Sequence, residues 1–149
     1  MLQFKKLDQR AKAPTCSHIG FDLGFDVYSI EYVEVNPHSV TAVRTGISAQ
    51  HLSLSHPEER YGLVVKDRSS MAKAGLFTVG GVIDASYTGE IIVLFRNVST
   101  AIIGIHGGEK IAQLLPIRVM TQDPILEVQE LPNQSRGSAG FGSSDKVTA

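Results

Sequence analysis

The 149-residue sequence holds a single cysteine, Cys16, and no tryptophan. One thiol excludes an intrachain disulfide framework and any zinc site built from cysteines. No apolar run approaches the ~20 residues of a membrane-spanning helix. Residues 1–15 set Leu2, Phe4 and Leu7 among lysines and build no secretory signal. A reducing, cytoplasmic compartment is therefore expected. An excess of one charge is missing too: 14 Lys and Arg stand against 15 Asp and Glu, a formal net charge of −1. This argues against a protein whose main work is to coat nucleic acid or a membrane surface. A small anion held by a local cluster remains compatible with it. The five histidines, His18, His38, His51, His56 and His106, show no metal-ligand spacing and read as surface or loop residues.

What is present is a chain of one-domain length with 42% hydrophobic residues, large enough to bury about two thirds of its unfolded surface. Short Val- and Ile-rich stretches recur, separated by Gly, Pro, Asn or Ser: 2–7, 25–30, 40–47, 61–65, 77–83, 91–95, 101–105, 111–120 and 125–128. This spacing predicts an antiparallel all-β sandwich or barrel with no βαβ units. Residues 69–75 break the pattern and predict one short helix, with a serine at the N-cap and Gly75 as the stop. Residues 51–60 read as an exposed loop.

Four segments and the C-terminus carry chemistry. Asp67-Arg68-Ser69-Ser70 enters the predicted helix, where unpaired N–H groups suit phosphate, or where an ordinary cap sits beside a surface arginine. Gly80-Gly81-Val82-Ile83-Asp84-Ala85-Ser86-Tyr87-Thr88-Gly89-Glu90 reads as a hairpin, with Val82-Ile83 and Ile91-Ile92 as its arms. Its Asp84 and Tyr87 suit a general base and a stacking platform, or a turn acid and a packed tyrosine. Asp26 lies in a strand-like run that disfavours Asp, as a cation ligand or at an edge. Gln113 interrupts the apolar run after Gly108-Glu109-Lys110 and must hydrogen-bond something. The segment Arg136-Gly137-Ser138-Ala139-Gly140-Phe141-Gly142-Ser143-Ser144 cannot build a core, yet it offers a cation, hydroxyls and a flat ring. That inventory suits a lid ordering over a nucleotide, or a disordered terminus.

In order and spacing these segments resemble the five motifs of the trimeric dUTP diphosphatases (dUTPases): 24–30, 68–72, 81–89, 108–114 and 136–144. The resemblance implies a jelly-roll-like distorted barrel, the dUTPase β-clip, over residues 1–132, and a flexible arm over 133–149. It also implies a homotrimer with shared active sites, and hydrolysis of dUTP to dUMP and pyrophosphate. That activity limits uracil in DNA and supplies dUMP for thymidylate synthesis. In this resemblance Asp84 activates water for attack on the α-phosphorus, and Tyr87 packs on the deoxyribose and leaves no room for a 2′-hydroxyl. Backbone groups around Gly81, Val82 and Ile83 read uracil. Asp26 holds Mg²⁺ through its water, and Arg68, Ser69, Ser70 and Gln113 contact phosphates. Arg136 contacts the γ-phosphate, Phe141 covers the base, and Gly142, Ser143 and Ser144 complete the closing arm. Three phosphates carry about four negative charges, so Mg²⁺ with Arg68 and Arg136 makes a sensible neutralising set.

Departures are also visible. Asp67 stands where the family usually has proline, which predicts either weakened phosphate binding or a pair with a lysine. Ser70, Ser86, Thr88, Ala139 and Ser144 replace commoner residues without removing a group the mechanism needs. A related family, the dCTP deaminases, places a catalytic glutamate where this chain has Leu94, which argues against deamination. Some phage and viral dUTPases act on partner proteins. The unusual 52–60 loop would be the contact surface for a regulatory protein partner in a second role.

Overall fold

A computed structural model describes residues 1–121 and 123–132 of the chain. Among these described residues, eleven strands and one short helix form a single fold in which every strand pairing is antiparallel. The largest sheet runs β1 (Leu2–Lys6), β5 (Ile47–Leu52), β6 (Arg60–Asp67), β11 (Lys110–Arg118), β2 (Phe25–Tyr28), with β8 (Val82–Ile83) added on β6. A second sheet runs β4 (Val40–Arg44), β9 (Ile92–Asn97), β7 (Leu76–Thr78), and β3 (Val33–Val35) pairs with β10 (Ile103–Ile105).

All three sheets close on one core. Val27, Leu63, Val65, Ile111 and Leu114 of the large sheet meet Val43, Leu76, Val93 and Phe95 of the second, with Val35 and Ile105 of the third. The strict alternation of β9 explains this: Val93, Phe95 and Asn97 point inward, while Ile92, Leu94 and Arg96 point outward. Asn97 is fully buried but satisfied. Its amide donates to the carbonyls of Val35 (2.8 Å) and Ala101 (2.7 Å), and its Oδ1 accepts from Ser99. No helix among the described residues is long and apolar enough to cross a membrane.

Several elements differ from the sequence reading. The 40–47 stretch is two strands, because Gly46 turns the chain at φ +67. The 77–83 stretch is also two, divided at Gly80 and Gly81, both at positive φ. Residues 51 and 52 finish β5, leaving 53–59 as the loop, and β3 was not foreseen. Residues 125–128 form no strand, and Ile125 is fully exposed. His51 lies in β5, half-buried, with its ring 4.9 Å from that of Tyr61.

The helix α1 spans Ser69–Ala74 and stops as expected at Gly75, which is left-handed at φ +96. Its N-cap is Arg68 and not a serine, and no side chain caps it. The largest correction concerns the expected hairpin. Val82 and Ile83 pair with Val64 and Leu63 of β6, whereas Ile92 belongs to β9 in the other sheet. Residues 84–91 therefore cross between sheets, carried over β5: Gln50 Nε2 donates to the Ala85 carbonyl, and Ser48 Oγ to that of Thr88.

Candidate active site

The first cluster forms where β6 ends, between β2 and β11. Pairing sets Asp26 opposite Gln113, and Gln113 opposite Lys66, next to Asp67. Asp26 sits on the edge strand of the sheet, and its carboxylate takes two cations, Arg68 Nε at 2.9 Å and Lys110 Nζ at 2.8 Å. The Lys110 ammonium is held above its ordinary range, first by the hydrogen bond to Asp26. Arg68 also donates through Nη1 to the Lys110 carbonyl at 3.3 Å, which commits two of its five N–H donors. Gln113 Nε2 donates to the Asp67 carbonyl at 3.3 Å, the partner that its place in an apolar run required. Asp26, Arg68, Ser69, Ser70 and Gln113 line one open cleft of about 670 Å³, rimmed by Ser17–Gly24. Its chemistry is that of an anion site with one acid at its floor.

The second cluster forms on the crossover. Gly81 brings the chain against β6, where Val65 N–H donates to the Gly81 carbonyl at 2.8 Å. Asp84 is exposed just beyond β8, and the Asp84 carbonyl accepts from Tyr87 N–H at 3.0 Å, so the acid and the ring share one turn. Tyr87 donates its hydroxyl to the Glu90 carbonyl at 3.0 Å. A Cβ at Gly89 would run into that ring. Glu90 accepts from Arg44 Nη2 at 3.1 Å and from Gly46 N–H at 2.8 Å, which ties the crossover to the β4–β5 turn. The Arg44 guanidinium is held above its ordinary range by that same carboxylate. Val82, Ile83, Asp84, Tyr87, Glu90, Ile92 and Leu94 line a pocket of about 350 Å³, more apolar than the first. A carboxylate, a ring and a close backbone at an apolar wall suit a nucleoside, and Leu94 is part of that wall.

The two clusters do not meet within one chain. Ile83 pairs with Leu63, five residues before Arg68 along β6. At ~3.3 Å per residue this separates Asp84 from Arg68 by roughly 17 Å or more. The second motif lies at one end of β6 and the third toward the other.

A search of family models matches residues 10–145 to the dUTPase family. The chain belongs to the dUTPase family. Among its relatives, the deoxyuridine 5′-triphosphate nucleotidohydrolase of Picosynechococcus sp. is 36% identical over 146 residues, covering 96% of this chain and 97% of that protein. The camelpox virus protein of the same name is 34% identical over 143 residues, 96% of this chain and 92% of the relative. In structure, the Staphylococcus bacteriophage 80alpha dUTPase with dUpNHpp superposes with a TM-score of 0.82 at 25% identity, covering 97% of this chain and 98% of the other. The native EIAV dUTPase gives 0.70 at 26% identity, covering 89% and 100%. The all-β fold of this dUTPase, with its one short helix, is thus the fold of the family.

Of the residues named from sequence, the described ones fall into the two clusters, while Arg136, Phe141, Gly142, Ser143 and Ser144 lie outside the described residues. Sequence reasoning quoted Lys110 and Glu90 without giving either a role, and passed over Arg44. A cation opposite an in-strand acid was the available signal for Lys110. Glu90 and Arg44 lie 46 positions apart, and nothing local connects them. Asp67 makes no ion pair among the described residues, so of the two expected alternatives the lysine pair is not the one found there. Its Oδ1 accepts from the Thr78 backbone N–H at 2.6 Å.

Proposed function

We propose that this protein hydrolyses dUTP to dUMP and pyrophosphate, at sites each completed by two or more copies of the chain. The observation that carries this is the dUTPase family match over residues 10–145 of a chain that keeps Asp84 and Tyr87 on one exposed turn. The Asp84 carboxylate orients a water toward the α-phosphorus and takes its proton as the oxygen attacks. Tyr87 lies against the deoxyribose, and its ring excludes a ribose hydroxyl. Main-chain groups of Gly81, Val82 and Ile83 read the uracil edge. Arg68, Gln113 and the N–H groups at Ser69 and Ser70 hold the phosphates and the departing pyrophosphate.

A general base at the α-phosphorus and the groups on the departing pyrophosphate must both reach one bound triphosphate. The separation along β6 supports a site in which the phosphate cluster of one copy serves the Asp84 cluster of another. A closed homotrimer with three such sites satisfies this requirement. The outward Ile92, Leu94 and Val82 give the joining surface an apolar component, with Val82 three-quarters exposed. We propose that residues 133–149 form the arm that brings Arg136, Phe141, Gly142, Ser143 and Ser144 to the site, with 1–132 as the barrel domain.

Mg²⁺ is the cofactor proposed with this activity. Among the described residues no group of three or more acids, histidines or cysteines could cage a metal. Asp26, already facing Arg68 and Lys110, suits an ion that keeps its waters and arrives on the triphosphate. Bound there, Mg²⁺ neutralises phosphate charge. A structure of the phage phi11 dUTPase, alike in fold at a TM-score of 0.76, is described as revealing a structural Mg(II) ion.

Pyrophosphate release measured across dUTP, dCTP, dTTP and UTP tests the reading. Release from dUTP, with little from the other three, is expected. Equal turnover of UTP would remove Tyr87 from sugar selection, and ammonia release from dCTP would overturn the reaction class.

A further inference from the structure

We infer that Asp67 is a positioning residue for the proposed hydrolysis, acting through its hydrogen-bond acceptors and not through its charge. The inference rests on the dUTPase reading of Arg68 and Gln113. The residue is half-buried at the last position of β6, paired with Ala112 of β11. Its two acceptors face different parts of the molecule. The main-chain carbonyl takes the Gln113 amide at 3.3 Å, which orients that side chain along the phosphate cleft. The carboxylate Oδ1 takes the Thr78 N–H at 2.6 Å.

Thr78 ends β7, at the edge of the second sheet, and the bond to Asp67 therefore joins the two sheets. Val79, the next residue, donates its own N–H to Leu94 of β9 at 2.9 Å. Alternation along the strand turns the Thr78 N–H the other way, toward β6, where Asp67 is its partner. An N–H without an acceptor there would carry a desolvation cost, so the carboxylate fixes where β6 ends. Arg68 is the next residue. The direction in which its guanidinium leaves the backbone is set between the Asp67 anchor and the Asp26 ion pair. Two residues earlier on β6, Val65 N–H holds Gly81. The end of β6 thus grips the 78–81 segment at two points, and Asp67 supplies the one that also orders the phosphate groups. Far from repelling a phosphate, the carboxylate is turned to a backbone donor.

The test uses the full-length protein and two variants. Asp67→Asn keeps Oδ1 as an acceptor and removes the charge, whereas Asp67→Ala removes both. Steady-state pyrophosphate release from dUTP, melting temperature, and calorimetric binding of inorganic pyrophosphate are measured for all three proteins. Asp67→Asn is expected within ~3-fold of wild type in kcat, KM and pyrophosphate affinity, while Asp67→Ala loses at least ~10-fold in kcat/KM and a similar factor in pyrophosphate affinity. A lower KM in both variants would show that the charge opposes phosphate and would overturn the inference. A lowered melting temperature in Asp67→Ala with unchanged pyrophosphate affinity would reduce Asp67 to a structural bond and would also overturn it. If Asp67→Ala does not fold, Asp67→Asn still decides between charge and acceptor. If wild type releases no pyrophosphate from dUTP, the functional reading falls. The three pyrophosphate affinities still judge Asp67.

Discussion

Asp84 is exposed and the Asp26 side chain is largely buried, and their surroundings differ as much. Asp26 has a cation on each oxygen and serves as an electrostatic floor. Asp84 has no ion-pair partner among the described residues and stands at an apolar pocket, a setting that suits the proposed base. Asp84→Asn, nearly isosteric, is expected to leave KM for dUTP within a few-fold and to lower kcat by at least ~10²-fold, read by pyrophosphate release. Retention of a third of the wild-type kcat would remove Asp84 from that role. Asp26 was legible in sequence because Asp is unexpected in a strand-like run, and Asp84 because it stood three residues from a tyrosine on a glycine-flanked turn. What Asp67 does was not, since its partner is the backbone N–H of a residue in another sheet. A sequence displays side chains and hides which main-chain donors lack a ladder partner.

At the level of elements, the Arg44–Glu90–Gly46 clasp decides how firmly the crossover holds Tyr87. Glu90→Ala would leave the Gly46 N–H and the Arg44 guanidinium without their acceptor. With the pair partly solvated, a loss of about 1–3 kcal/mol is expected, checked by urea unfolding. Because the Tyr87 hydroxyl rests on the Glu90 carbonyl, discrimination of dUTP over UTP should narrow in the same variant. The strand pattern and the single helix were readable, since period-2 alternation and a Gly75 stop are local properties. The partner of Val82-Ile83 was not. Alternation marks a strand but does not name its neighbour, and β6 lies about twenty positions earlier in the chain. The close spacing of two apolar pairs around a turn imitated a hairpin. Two consecutive glycines at positive φ in fact sent the first pair to a different sheet from the second.

At the scale of the whole molecule, the proposed sharing of the two clusters between copies would make activity a property of the assembly. Arg68→Ala and Asp84→Asn, each expected to be nearly inactive, should complement each other when co-refolded. In a cyclic trimer every mixed assembly has one site pairing intact Asp84 with intact Arg68, so equal mixing restores about a quarter of wild-type activity. No recovery would mean that each chain completes its own site. The proposed reading of the base by the main chain falls on a position, Gly81, that has no room for a side chain. A Cβ there would lie 2.9 Å from that of Val65 and 3.2 Å from the Val65 carbonyl oxygen, on a backbone at φ +89. Position 81 offers no side chain to exchange, and adding one displaces β6 itself. In the proposed site the sugar is read by a side chain, Tyr87, which one substitution alters, whereas selectivity for the base is built into the main chain and changes only if β6 moves with it.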